Sequence, residues 1–138
     1  MTKGRMFVIA MYWIGAVLDL VSAVALVVPG FGAALLGIGI DLYTPVVRYV
    51  ALMATALMLG WTALLVWGAA NPIARRGVLL LTVAPPLAGL IIATVYSAAS
   101  GLVTVGAMIP MLVFQTMLVA LFAAAWLVAR RQAGASTA

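Results

Sequence analysis

Four long apolar runs constrain the fold of this chain more than any other feature. They cover residues 6–28, 46–68, 77–97 and 106–128. Each run is long enough to cross a bilayer, because about 20 helical residues rising 1.5 Å each span about 30 Å. Backbone groups in lipid must be paired within their own segment, so each run is predicted to be a helix. The expected fold is all-α: an integral membrane four-helix bundle that forms a single transmembrane domain over residues 1–138.

The composition agrees with a hydrocarbon solvent and excludes most chemistry. Hydrophobic residues make up 68% of the chain and charged residues only 7%, whereas soluble domains carry about 25% charged residues. Histidine, cysteine and glutamate are absent, and the acidic residues are Asp19 and Asp41. A lone aspartate has no partner for acid–base or nucleophilic work. We therefore expect no enzyme, no cofactor and no metal, and the lack of a basic patch with interleaved aromatic residues argues against nucleic acid.

The positive charges predict how the chain is oriented. Six of the seven cationic residues fall on one side of the membrane if the chain crosses four times: Lys3, Arg5, Arg75, Arg76, Arg130 and Arg131. Only Arg48 falls on the other side. The positive-inside rule then places both termini in the cytoplasm. The first run, interrupted by Asp19, is expected to stay as a helix and not to be cleaved as a signal peptide.

The connections between the runs are uneven in character. The first, residues 29–45, is apolar with one charge at Asp41, so we expect it to lie in the outer interface or to dip into it as a short re-entrant piece. Residues 132–138 are small and polar and are expected to form a disordered tail. Aromatic residues suggest an outer belt at Tyr43, Tyr49 and Tyr96 and an inner belt at Trp67 and Trp126.

Asp19 is the feature that points most directly to function. An aspartate near the bilayer centre costs about 2.5–3.5 kcal/mol on insertion scales. Tyr12, Gly15, Asp19 and Ser22 follow one another at helical spacing, so this stripe is expected to face the other helices.

Two further polar residues lie at a similar depth. Thr55 is in the second run and Gln115 is in the fourth. We expect them to form one polar layer in which Asp19 exchanges hydrogen bonds with both. The layer has three interpretations: it joins the helices structurally, it is a proton or cation site, or it binds a partner subunit.

Pro85 and Pro86 lie inside the third run. Together they free the carbonyls of Leu81 and Thr82 and disfavour helical geometry at Pro85. A kink or an unwound turn is therefore predicted. Broken helices of this kind bind ions in transporters, and a simple packing kink is the alternative.

The second and third runs contain a familiar stretch. Residues 57–67, then Pro72, then residues 75–82, together with Asp19 and Gln115, resemble a group of small uncharacterised prokaryotic membrane proteins with four transmembrane helices. The resemblance covers nearly the whole chain. It implies the architecture and a multi-pass location in the plasma (inner) membrane of a prokaryotic cell, without an activity.

An acidic residue in the first of four helices is also similar to the small multidrug-resistance transporters. That likeness implies that Asp19 is a proton and cation site, although those proteins carry glutamate and short loops. From these features we expect a non-enzymatic membrane protein, a subunit or small binding module whose partners are the bilayer and itself or another membrane subunit. The alternative is a small proton-coupled transporter or channel that uses Asp19.

Overall fold

The computed structural model describes residues 2–135, and these are organised entirely by helices and short connections. The α-helices are α1 (Lys3–Val27), α2 (Pro29–Leu36), α3 (Pro45–Ala70), α4 (Gly77–Thr82), α5 (Ala88–Ala99) and α6 (Val105–Ala135). Four units are long and apolar enough to cross a membrane: α1, α3, the α4–α5 segment and α6. By the length and composition of these helices, the chain is a multi-pass membrane protein.

Local capping explains where the first two crossings begin. The Thr2 hydroxyl accepts a hydrogen bond from the Arg5 amide, 3.4 Å away, at the start of α1. Thr44 does the same for Val47 at the start of α3, where Pro45 occupies the first helical position. Both arrangements satisfy amides that have no partner inside the helix.

The last helix is longer than the apolar run it contains. We expected a disordered tail from residue 132, but α6 continues to Ala135, and residues 136–138 of that tail lie outside the described part. The Gln132 side chain donates to the Thr2 hydroxyl at 3.3 Å. This contact joins the end of α6 to the start of α1.

The third crossing is broken at Pro85 and Pro86, as the sequence predicted. A kinked segment, Val83–Leu87, separates α4 from α5, and within it Ala84 adopts an extended conformation (φ −129°, ψ 112°). Two prolines in succession remove two backbone donors, so a continuous helix cannot pass through this point.

α1 is the central helix of the bundle. It packs closely against α3 and also against α6, and α6 in turn packs against α4 and α5. Because Thr2 meets Gln132, the start of α1 and the end of α6 share one end of the bundle, which we call the terminal end. The opposite end, with residues 28–44 and 100–104, is the loop end.

The buried core lies mainly in the half of the bundle nearer the terminal end. Its members are aliphatic and aromatic side chains with alanines between them: Val8, Met11, Tyr12, Ala16, Leu65, Val78, Leu79, Leu87, Leu118, Phe122, Ala125 and Ala129. By contrast, α5, the half of the third crossing nearer the loop end, contains no buried residue. The bundle is therefore tightly packed at the terminal end and looser toward the loop end.

The first connection is more structured than an ordinary loop. It contains α2 and a 3₁₀ turn, Ile40–Leu42. The Tyr43 hydroxyl donates to the carbonyl of Leu26 at 2.7 Å. That carbonyl lies at the end of α1, where the following residues, including Pro29, no longer continue the same helix. The tyrosine thus ties the connection back onto α1.

Candidate functional site

Asp19 lies on the face of α1 that is directed into the bundle, yet it is only partly buried. Gly15, Ala16 and Ala23 on the same face are buried on either side of it. It lies thirteen residues beyond Met6 and nine before Val28, the limits of the apolar run, so it is about 20 Å and about 14 Å from those levels. The carboxyl group is therefore close to the middle of the crossing.

The carboxylate of Asp19 is unpartnered within residues 2–134. No hydrogen bond joins it to another described side chain or backbone group, and its oxygens are not sealed inside the protein. A charged or protonated carboxyl in hydrocarbon is costly unless it is paired. Asp19 is thus partly exposed and makes no hydrogen bond within the described residues.

Thr55 is buried but its hydrogen bonds go elsewhere than to Asp19. Its hydroxyl lies 3.3 Å from the carbonyl of Ala23 on α1 and 2.9 Å from the carbonyl of Ala51 on its own helix. Thr55 therefore joins α3 to α1 on the side of the bundle where those two helices pack most closely.

Gln115 is also buried and pairs with a residue that sequence reasoning did not select. Its amide nitrogen lies 3.0 Å from the hydroxyl of Thr94 in α5, and Thr94 in turn donates to the carbonyl of Leu90 at 2.8 Å. The only signal in the sequence is that Thr94 and Gln115 flank the short connection 100–104, which makes their helices antiparallel neighbours. The expected single polar layer is therefore divided between two helix pairs in the structure.

Ser22 and the Thr94–Gln115 pair nevertheless lie at about the level of Asp19. A β-carbon on Gly15 would lie 2.7 Å from Cζ of Phe122, so these two residues are in register. Ser22 lies seven residues from Gly15, and Gln115 lies seven residues from Phe122. Both are about 10 Å further toward the loop end. Ser22, which is partly buried and on the same helix as Asp19, and the Thr94–Gln115 pair on α5 and α6 thus lie at about the depth of Asp19.

Tyr12 belongs to the core and not to the polar site. It is fully buried, and its hydroxyl donates to the carbonyl of Arg75 at 2.8 Å. The side chain thereby anchors the connection between α3 and α4 to α1. Tyr12 is a structural residue about 10 Å from Asp19 along the helix.

The broken crossing is held to α3 just before Pro85 and Pro86. Nε1 of Trp61 donates to the hydroxyl of Thr82 at 3.2 Å, and Thr82 donates to the carbonyl of Val78 at 2.8 Å. This contact fixes α4, whereas α5 beyond the break is held by its contacts with α6 and the Thr94–Gln115 pair.

An apolar groove of about 250 Å³ is present near the loop end, away from Asp19. It is lined only by aliphatic side chains: Leu26, Leu36, Val46, Val47, Val50, Ala51 and Ala54. Polar groups are what orient a ligand in a pocket, so a groove without them can hold only hydrocarbon. This groove therefore offers no polar group for chemistry, whereas Asp19 does.

No protein-family model matches this sequence, and no curated protein or solved structure is detectably similar to it. Functional inference consequently rests on the geometry of Asp19 and its surroundings.

Proposed function

We propose that this chain is a non-enzymatic membrane binding module that recognises a small, lipid-soluble ligand through Asp19. The observation that supports this is the accessible carboxyl group near mid-membrane, which has no partner among residues 2–134. A ligand with an amine or another cationic group would satisfy it. Ser22 and the Thr94–Gln115 pair supply hydrogen-bonding groups at about the same depth.

Burial around Asp19 favours a small group over a whole partner helix. Gly15 and Ala23, one turn to either side, are already covered by the chain itself. A second helix lying along this face would have to displace those contacts, whereas a single ammonium group needs only the space at the carboxyl. Association with a second copy or with another membrane subunit stays a prediction. Such a partner would bind the lipid-facing surfaces of the helices and not the face that carries Asp19.

A non-enzymatic role is supported by the placement of the two acidic residues. Asp19 is within α1, and Asp41 is in the 3₁₀ turn at the loop end. They lie on separate elements and at different depths, so they do not form a carboxylate pair of the kind that acid–base chemistry uses.

Chemical labelling tests the proposal. We expect dicyclohexylcarbodiimide, a hydrophobic reagent for carboxyl groups, to modify Asp19, and octylamine to protect it while octanol does not. Asp19→Asn keeps the side-chain shape without a charge and should lose octylamine binding, whereas Asp41→Asn should retain it. The measurement is mass spectrometry of labelled protein in detergent, with calorimetry for the amine. Equal octylamine binding by wild type and Asp19→Asn would contradict the proposal.

Stability measurements separate a ligand site from a structural contact. Because Asp19 makes no hydrogen bond in the described chain, Asp19→Leu should be at least as stable as wild type. If Asp19 instead joins helices, Asp19→Leu should be destabilised by roughly 0.5–2 kcal/mol, the range for polar contacts between membrane helices, while Asp19→Asn stays near wild type.

The second candidate is a proton-coupled transporter or channel, favoured by the break at Val83–Leu87 in a bundle that also contains an accessible carboxyl group. In proteoliposomes with an internal pH dye, a gradient of a lipophilic amine would then drive proton movement, and Asp19→Asn would abolish it. Amine binding without coupled proton movement supports the binding module.

We also propose that both termini are cytoplasmic and that the membrane is the plasma membrane of a prokaryote. The orientation is supported by the six cationic residues at the terminal end against Arg48 alone at the other. A C-terminal green fluorescent protein fusion should fluoresce, and a C-terminal alkaline phosphatase fusion should be inactive. The reverse pattern would show that the orientation is wrong.

A further inference from the structure

The terminal end carries a side-chain charge that the protein itself does not balance. Six of the seven cationic residues lie at this end, and Arg48 is the exception. The acidic side chains are elsewhere, Asp19 near the middle of α1 and Asp41 at the loop end. The counter-ions for this end must therefore come from outside the chain.

Two of these arginines are held against tryptophan rings. The guanidinium carbon of Arg75 lies 3.8 Å from the ring centroid of Trp67, and that of Arg130 lies 5.5 Å from the ring centroid of Trp126. Arg75 also donates to the carbonyl of Trp67. Cation–π contacts of this kind restrict the side chains to defined positions.

The two tryptophans lie at one level of the bundle. Trp67 precedes Gly68, which packs against the ring of Tyr12. Phe122 is in register with Gly15. Trp126 follows Phe122 by four residues, so it lies about 6 Å nearer the terminal end than Phe122. Trp126 therefore also reaches the level of Tyr12. Tryptophan concentrates where hydrocarbon meets headgroups. The Arg75 and Arg130 guanidinium groups are therefore at headgroup depth.

From this arrangement we infer that the terminal end binds the phosphate of an anionic phospholipid at two sites, Arg75 with Trp67 and Arg130 with Trp126. A guanidinium has five N–H donors, and Arg75 directs one nitrogen at the Trp67 carbonyl, so donors remain for phosphate oxygens. Exposed apolar side chains next to the tryptophans, Val66 and Leu127, provide surface for the acyl chains. A lipid supplies both the anion and the hydrocarbon, whereas a soluble anion supplies only the first.

The test measures lipid preference in native mass spectrometry, with the full chain in neutral detergent and equimolar dioleoylphosphatidylglycerol and dioleoylphosphatidylcholine. Wild type should retain phosphatidylglycerol over phosphatidylcholine by a factor of about five or more. One arginine near the membrane surface has about this effect on the binding of anionic lipid. The double variant Arg75→Gln/Arg130→Gln should lose the preference. Arg48→Gln, at the loop end, is the matched control and should keep it.

A single substitution protects the test against misfolding. Arg130 is exposed at the end of α6, so Arg130→Gln removes no core contact and should by itself lower the preference. An unchanged preference in both arginine variants, or an equal loss in Arg48→Gln, would overturn the inference. Displacement of phosphatidylglycerol by millimolar inorganic phosphate would also overturn it, because the site would then recognise a soluble anion.

Discussion

Phe122→Ala should destabilise the bundle more than any other single truncation considered. The ring is 2% exposed and lies between α6 and Gly15 of α1. In soluble proteins such a change costs about 3–5 kcal/mol, part of which is transfer of the side chain to water. Unfolded membrane helices stay in lipid, so the transfer to water does not contribute and mainly the loss of packing remains. We therefore expect the free energy of unfolding to fall by on the order of 2 kcal/mol. Unfolding in mixed micelles with increasing dodecyl sulfate would measure it.

Phe114→Ala is the matched control for this prediction. Phe114 is on the same helix but is 41% exposed, so its ring faces lipid over much of its surface. Its truncation leaves no internal cavity and should change the free energy of unfolding by no more than a few tenths of a kcal/mol. Equal losses for the two variants would mean that α6 does not pack against α1 at Gly15.

Gly68→Ala should also be strongly destabilising, for the opposite reason. A β-carbon at residue 68 would lie 3.0 Å from Cδ1 and Cζ of Tyr12 and would overlap Cε1. The ring cannot give way, because it is fully buried and its hydroxyl is bonded to the Arg75 carbonyl. Overpacking of this kind costs about 1–3 kcal/mol. The same micelle titration measures it.

Gly60→Ala separates this clash from the intrinsic effect of replacing glycine. Gly60 is on the same helix, and a β-carbon there would meet no atom within 4 Å beyond its chain neighbours and the adjacent backbone of its own helix. The two variants share the change in helix propensity, so their difference isolates the contact with Tyr12. If Gly68→Ala matched Gly60→Ala, the close approach of α3 to Tyr12 would be refuted.

The number and approximate extent of the crossings followed from the sequence, because apolar length is a direct requirement of a bilayer. The expected spans 6–28 and 46–68 correspond to Lys3–Val27 and Pro45–Ala70. The break at Pro85 and Pro86 was also visible, since proline removes a backbone donor wherever it stands. The helical turn at residues 132–135 was not, because small polar residues favour a disordered tail, whereas in the structure Gln132 contacts Thr2, which is distant in sequence.

The pairing of polar residues, on the other hand, was decided only by the tertiary structure. Depth along each helix can be counted from the sequence, and it places Asp19, Thr55 and Gln115 at similar levels. Which face each residue presents to which neighbour depends on how the helices are rotated and ordered around the bundle. In the structure Thr55 meets Ala23, Gln115 meets Thr94, and Asp19 is left without a partner among the described residues. Composition and periodicity determine which segments cross the membrane, whereas side-chain packing between helices determines which polar groups pair with one another.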